Sequence, residues 1–137
     1  MNDTLTSRLR PLGETSGSAQ RAPQHLGLPT MSFDLEHELG LLRQEESYRA
    51  GDRNARTLVK ETGLHIVLTV MRSGARLQEH KVAGPISIQT LAGRIRLRAL
   101  EEVVELPAGH IVTLRGDIAH IVDAVEESAF LLTIAIG

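Results

Sequence analysis

Short strand-like segments separated by turns follow one another from residue 55 to the end of the chain. Seven or eight such segments are rich in β-branched and aliphatic residues, and glycine or proline lies between most of them. This spacing is typical of an antiparallel sandwich or barrel rather than of strands that alternate with helices. The segments are residues 55–61, 64–72, 86–91, 94–100, 103–106, 110–115, 118–125 and 129–136. We therefore predict an all-β fold.

Size and composition exclude several classes of function. The 137 residues suffice for one domain with a single core. The chain contains no cysteine, which excludes disulfides, thiolate zinc sites and cysteine nucleophiles. A net charge of -2 and 2% aromatic residues give no basis for binding nucleic acid. Without an apolar signal or a membrane-length apolar run, we expect a cytoplasmic protein with neither a nucleic-acid nor a membrane partner.

The first part of the chain is predicted to be a disordered leader. Residues 1–31 are dominated by Ser, Thr, Gly, Pro, Gln and charged residues and carry no periodic apolar face. Such a segment buries too little apolar surface to offset the entropy of ordering. Met31 offers an alternative start of translation to Met1.

One N-terminal helix is predicted over residues 32–51, packed on a barrel domain that covers residues 52–137. Its leucines fall on one stripe at helical spacing, Ser32 or Asp34 can cap its start, and Gly51 lies beyond its end. The helix is rich in glutamate, at positions 36, 38, 45 and 46. Arg53 and Arg56 would pair either with these glutamates or with an anionic ligand.

The dipeptide Ala92-Gly93 separates two strand-like segments and predicts a two-residue hairpin between them. In the second segment, arginines alternate with Ile95 and Leu97. Because side chains alternate between the two faces of a strand, we expect the arginines on an outer face and the aliphatic pair inside.

Two spaced motifs give the strand-rich region a resemblance to a known superfamily. The first comprises Gly74, His80 and Gly93, and the second comprises Pro107, Gly109 and His120. With these motifs the chain resembles the cupins, and in particular small single-domain (RmlC-like) cupins of unassigned function. The resemblance covers about residues 55–137. It implies an antiparallel jelly-roll β-barrel that is open at one end, and it implies that this chain forms a homodimer.

The same resemblance implies four inward positions, His, His, Glu and His, that hold a metal ion. This chain keeps His80 and His120, but Val82 stands at the second histidine and Ile86 at the glutamate. Neither replacement offers a lone pair, and two imidazoles alone bind a divalent cation weakly. We therefore expect a degenerate metal site and no resident cofactor. A divalent iron, manganese, nickel or zinc ion, if bound, would rest on His80 and His120.

A third ligand would have to come from another strand. His65 shares one strand face with Val67, Thr69 and Met71, and it would join His80 and His120 if that face looks into the barrel. The apolar residues at positions 66, 68 and 70 compete for the inward role. His110 follows a turn directly and is expected to be exposed.

The residues at the site favour a binding pocket over a metal centre. The expected apolar walls are Val82, Ile86, Ile88 and Met71, and the polar groups are His80 and His120. A few convergent polar groups in an apolar pocket are typical of small-molecule recognition. The imidazoles would bind a carboxylate, carbonyl or hydroxyl group of an unidentified small molecule.

Other functions stay open at this point. The main alternative is a metal-dependent oxygenase or isomerase with a reduced histidine ligand set. Acid–base catalysis without a metal would need a carboxylate that orients a histidine, and no suitable spacing is evident. A regulatory module would have to act through a partner, because the chain has no room for a helix-turn-helix. The sequence assigns no reaction.

Overall fold

The computed structural model describes residues 29–136, which form two β-sheets with two short helices against one of them. The helices are α1 (Leu35–Gln44) and α2 (Glu46–Arg49). The strands are β1 (Arg53–Glu61), β2 (Leu64–Met71), β3 (Arg76–His80), β4 (Ile86–Ala92), β5 (Arg94–Ala99), β6 (Glu102–Pro107), β7 (Ile111–Leu114), β8 (His120–Ala124) and β9 (Ser128–Ala135). The leader predicted over residues 1–31 falls almost entirely outside the described residues.

The strands of residues 29–136 pair antiparallel in two sheets. The larger sheet has the order β1-β2-β9-β4-β7, and the smaller has the order β3-β8-β5-β6. Strands β3, β4 and β5 follow one another in sequence but alternate between the sheets, so the chain crosses repeatedly from one layer to the other. The prediction of an all-β, antiparallel fold is confirmed.

The hairpin predicted at Ala92-Gly93 is wrong. Strand β4 pairs with β7 and β9, whereas β5 pairs with β6 and β8, so the chain changes sheets at Gly93. Gly93 has φ +77°, and a Cβ there would lie 2.2 Å from the carbonyl oxygen of Glu127. Glycine is therefore required at position 93 both for the positive φ and for the close approach of the turn that precedes β9. The turn signal marks a crossing between sheets.

The main core lies between the two sheets. Alternate residues of each strand are buried there, among them Ile95 and Leu97 of β5 and Phe130 of β9. The opposite face of β5 carries the arginines, as predicted, and Arg96 Nε lies 2.6 Å from Glu105 Oε2. The alternation read from the sequence thus separates the interior of the barrel from its outer surface.

A second core lies on the outside of the larger sheet, beneath the helices. The stripe of α1 buries Leu39 and Leu42 against Leu68 and Val70 of β2. Helix α1 begins after Asp34, whose Oδ1 accepts a hydrogen bond from the His37 N–H at 3.2 Å. The helices therefore cover the β1 and β2 side of this sheet.

The single helix predicted over residues 32–51 is divided at Glu45, whose backbone is extended (φ -78°, ψ 152°). Two buried donors of β1 contact this point. Asn54 Nδ2 donates to the Leu42 carbonyl at 3.0 Å and to Glu45 Oε1 at 2.8 Å. Arg56 Nη2 donates to Glu45 Oε2 at 2.6 Å. Side chains of β1 thus supply hydrogen-bond donors to the Leu42 carbonyl and the Glu45 carboxylate at the C-terminal end of α1. The chain turns there instead of continuing as one helix.

Arg56 forms a buried ion pair with the helix. Its Nη1 lies 3.1 Å from Glu38 Oε1, and the two side chains are 4% and 9% exposed. Arg53 pairs instead with Asp52 at 2.9 Å. Arg56 therefore serves the contact between α1 and the sheet, which was one of its two predicted roles.

Replacing Arg56 by Ala is expected to lower the free energy of unfolding by about 3 kcal/mol, because it leaves the Glu38 carboxylate buried without its partner. Urea unfolding followed by circular dichroism measures this change. The matched control is Arg96→Ala, which removes a partly exposed ion pair and is expected to cost less than about 1 kcal/mol. Equal losses in both variants would contradict the buried-pair interpretation.

Candidate functional site

His80 reaches the interior because β3 contains an irregular step. Leu77 of β3 is opposite Val122 of β8, and His80 is opposite His120, so Gln78 and Glu79 together span the position of one residue on β8. This is the pairing of a β-bulge, which shifts the alternation of side chains by one. Leu77 and His80 are three positions apart, which in a regular strand would put them on opposite faces, yet the bulge leaves both on the interior face.

His120 occupies the first position of β8 and is 2% exposed. It lies between His80 on β3 and Ala99 on β5, its two partners across the sheet. The rings of His80 and His120 have their centroids 4.6 Å apart and planes inclined at 58°. The structure thus brings together two histidines that lie forty residues apart in the sequence.

Both rings are held in the same way by the backbone. His80 Nδ1 lies 2.9 Å from the Gln78 carbonyl oxygen, and His120 Nδ1 lies 3.0 Å from the Ile118 carbonyl oxygen. Each histidine therefore contacts the carbonyl two residues before it. Both Nε2 atoms are buried and have no hydrogen-bond partner.

Burial lowers the pKa of His120, because a charged imidazolium is poorly solvated inside the barrel. The hydrogen bond to Ile118 acts in the opposite direction, and the neighbouring His80 adds to the lowering. His120 is accordingly neutral at pH 7.

Two loops meet beside the histidine pair. The loop after β3 and the loop before β8 are joined by a hydrogen bond from the Asp117 N–H to the Val82 carbonyl at 2.7 Å. A Cβ at Gly116 would lie 2.2 Å from the Ala83 carbonyl oxygen, so only glycine allows this approach. The half-buried Val82 side chain packs against the interior core from this loop.

Ile86 and Ile88 lie in the interior core. Ile86 is the first residue of β4 and is opposite Ile134 of β9, which in turn is opposite His65 of β2. Since β4 begins five residues after His80 ends β3, Ile86 belongs to the same end of the barrel as the histidine pair.

Met71 is buried in the interior core but at the other end of the barrel. It is the last residue of β2 and is opposite Ser128, whereas His65 lies near the start of the same strand. The six residue steps from His65 to Met71 span roughly 20 Å along a strand. The register therefore separates Met71 from the histidines, and we leave it out of the proposed site.

His65 is two positions from Val67 on β2 and opposite Ile134, both residues of the interior core, so it shares their face. Burial and then the charge of Lys60 lower its pKa, and its Nδ1 is buried without a hydrogen-bond partner. Even so, residues 29–136 contain no group of three or more His, Cys, Asp or Glu side chains placed to hold a metal ion. The set of three formed by His65, His80 and His120 is thus not assembled. His110 is exposed, as predicted.

The metal that the resemblance implies does not fit the residues present. A mononuclear site of this kind needs three or four protein ligands, and the pair supplies two nitrogen atoms. Val82 and Ile86 stand where the resemblance places the remaining ligands. No carboxylate near the rings offsets the charge of a divalent cation within the described residues.

Sequence comparison leaves the chain without a match, either to a family profile or to a curated protein. Comparison of folds is more informative. A cupin-superfamily protein from Desulfitobacterium hafniense is 12% identical with a TM-score of 0.62, and the likeness covers 90% of this chain and 98% of that one. A conserved protein of unknown function from Streptococcus pyogenes is 24% identical with a TM-score of 0.60, covering 62% of this chain and 75% of that one.

A third similar structure is an oxalate decarboxylase variant from Bacillus subtilis. It is 18% identical with a TM-score of 0.58, and the likeness covers 63% of this chain but only 26% of the decarboxylase. The chain therefore has the jelly-roll fold of the cupin superfamily, and the predicted fold is confirmed. At these identities the likeness establishes the fold alone.

The lowered pKa of His120 predicts a pH-dependent stability. Between the lowered pKa of the folded state and the unfolded value near 6.5, the unfolded chain binds a proton that the folded chain does not. The stabilisation is therefore complete above pH 6.5 and is lost as the pH falls through the lowered pKa. Unfolding free energies measured in urea between pH 7.5 and 5 should fall more steeply for the wild type than for His120→Asn, by at most about 1.4 kcal/mol per pH unit.

The unfolding free energy of His65→Asn should likewise fall less steeply with decreasing pH than that of the wild type, since burial also lowers the pKa of His65. Parallel slopes for the wild type and His120→Asn would contradict a buried neutral His120.

Proposed function

We propose that this chain is a small-molecule-binding protein of cupin fold whose ligand contacts His80 and His120 at one end of the barrel. The observation that carries the proposal is the pair of buried Nε2 atoms without hydrogen-bond partners. The two rings contact each other, and each Nδ1 is hydrogen-bonded to the backbone carbonyl two residues before it. These contacts support a site formed jointly by β3 and β8. No reaction is assigned to it.

The energetic argument starts from the cost of the bare nitrogens. Each buried acceptor without a partner costs about 1–3 kcal/mol, because the water it bound in the unfolded chain is not replaced. Packing alone gains nothing from two such atoms side by side, since two aliphatic side chains would fill the same space without that cost. A ligand that bonds to both nitrogens would recover the lost interactions.

The surroundings support an organic ligand. Ile86 and Ile88 are buried in the interior core, and Val82 packs against it from the adjoining loop. Apolar walls around a small number of oriented polar groups are the usual composition of small-molecule sites. The apolar surface contributes affinity, and the two imidazoles contribute orientation.

Replacing His120 by Ala is expected to weaken the binding of small organic fragments at this end of the barrel. Fragments are screened by protein-observed NMR, where binding shifts the amide signals of His80, His120 and Val82 in the wild type. Affinity should fall at least about tenfold in the variant, because a buried hydrogen bond is lost. The matched control is His110→Ala, which changes an exposed histidine.

Thermal unfolding of both variants shows whether the fold survives. The proposal fails if no fragment shifts these signals in the wild type, or if His120→Ala binds the same fragments with unchanged affinity.

A metal-dependent oxygenase or isomerase is the second candidate. One observation favours it: a metal-bound histidine usually donates its other ring N–H to a backbone carbonyl or carboxylate, and both rings have this anchor. The shortage of ligands opposes it. We therefore rank it below metal-free binding.

Protein purified without a chelating tag is expected to contain far less than one equivalent of iron, manganese, nickel or zinc by elemental analysis. Adding each of these ions should leave the melting temperature unchanged, since an ion that binds the folded state would raise it. One equivalent that disappears in both His80→Ala and His120→Ala would overturn metal-free binding and favour the second candidate.

The homodimer and the cytoplasmic location remain predictions. No helix in the described part of the chain is long and apolar enough to cross a bilayer. The partner that we propose is an unidentified small molecule.

A further inference from the structure

The backbone anchors fix which ring nitrogens carry protons. A carbonyl oxygen only accepts hydrogen bonds, so the contacts at 2.9 Å to Gln78 and 3.0 Å to Ile118 require a proton on each Nδ1. A neutral imidazole has one ring proton. Both Nε2 atoms are therefore bare acceptors with their lone pairs directed away from the anchors. Flipping either ring would replace an N–H···O bond by a C–H···O contact.

The two lone pairs lie on neighbouring strands, with the ring centroids 4.6 Å apart. A ligand group that only accepts hydrogen bonds therefore meets two acceptors and finds no donor at either Nε2.

The opposite sheet offers two further polar atoms near the same end. Thr57 Oγ1 and His65 Nδ1 are buried and have no hydrogen-bond partner. Thr57 is opposite Val67, an interior residue two positions from His65 on β2. His65 is in turn linked through Ile134 to Ile86, at the histidine end of the barrel. A threonine hydroxyl both donates and accepts, so it complements a ligand hydroxyl.

We propose that the ligand of this site is a neutral compound with several hydroxyl groups, two of which donate hydrogen bonds to His80 Nε2 and His120 Nε2. This inference rests on the proposed function and narrows it. Of the carboxylate, carbonyl and hydroxyl groups expected from the sequence, only a hydroxyl supplies the donor that both nitrogens lack. A ligand hydroxyl also matches Thr57 on the facing sheet.

Three probes that share a cyclohexane ring separate the alternatives: cis-cyclohexane-1,2-diol, its dimethyl ether and cyclohexanecarboxylate. Dissociation constants are measured by NMR titration of the wild type at pH 7.5. The diol is expected to bind at least about tenfold more tightly than either of the others, because methylation removes both donors and the carboxylate has none.

Thr57→Val keeps the shape of the side chain and removes its hydroxyl. It should weaken the diol severalfold, because the threonine hydroxyl that donates to a ligand oxygen is lost. Equal affinity for the diol and the ether, or tighter binding of the carboxylate, would overturn the proposed ligand class but leave a binding site in place. Failure of all three probes to bind would remove the proposed function and the ligand class together.

Imidazole ¹⁵N spectra of the unliganded protein test the same inference without a ligand. Signals of both His80 and His120 are expected to show a protonated Nδ1 and a bare Nε2. A proton on Nε2 of either ring would overturn the inference even if some other molecule binds. Because the spectra report the rings directly, this outcome is distinct from the failure of the binding proposal.

Discussion

The hydrogen-bonded pairing of β3 with β8 sets the position of every other feature of the site. Between Leu77 and His80 the pairing accommodates one extra residue, and this residue changes the face on which His80 lies. Leu77 can then serve the core while His80 meets His120. Without the bulge, His80 would point to solvent and His120 would be buried beside an aliphatic core. The binding proposal, the anchors and the hydrogen-bond polarity of the rings all depend on this local irregularity.

Strand faces could be read from the sequence because alternation is a direct consequence of backbone geometry. The prediction was correct for β5, where Ile95 is buried and Arg96 is outside. The approach of His80 to His120 could be expected from motif spacing and resemblance. The bulge that makes this approach possible could not be predicted from the sequence. The bulge at Gln78 and Glu79 has no residue signature, because either residue is compatible with a regular strand.

The errors have related physical causes. A glycine signals a sharp change of direction but not the partner of the next strand, so Gly93 was mistaken for a hairpin. The distance of Met71 from the histidines depends on register along the barrel, which pattern alone does not give. Thr57 was overlooked because a β-branched residue in a strand resembles ordinary core packing. Its unpartnered hydroxyl becomes visible only with the interior assembled.

The two replacements at Val82 and Ile86 change the chemistry more than the shape. They remove donors from the metal positions that the resemblance implies, while the remaining rings keep the backbone contacts that would orient them towards an ion. The same ring orientation allows hydrogen bonding to an organic ligand, because a nitrogen lone pair that can coordinate a cation can also accept a hydrogen bond. A site of this kind can thus lose one type of partner and retain another without rebuilding its strands.

The two hydrophobic cores use opposite faces of the same strands. On β2, Leu68 and Val70 pack under α1, whereas Val67 belongs to the interior. The buried ion pair between Arg56 and Glu38 fastens the outer layer independently of the barrel contents. The outer face of the larger sheet is therefore packed by contacts that do not involve the interior side chains. Substituting an inward side chain at the histidine end leaves this outer layer of contacts in place.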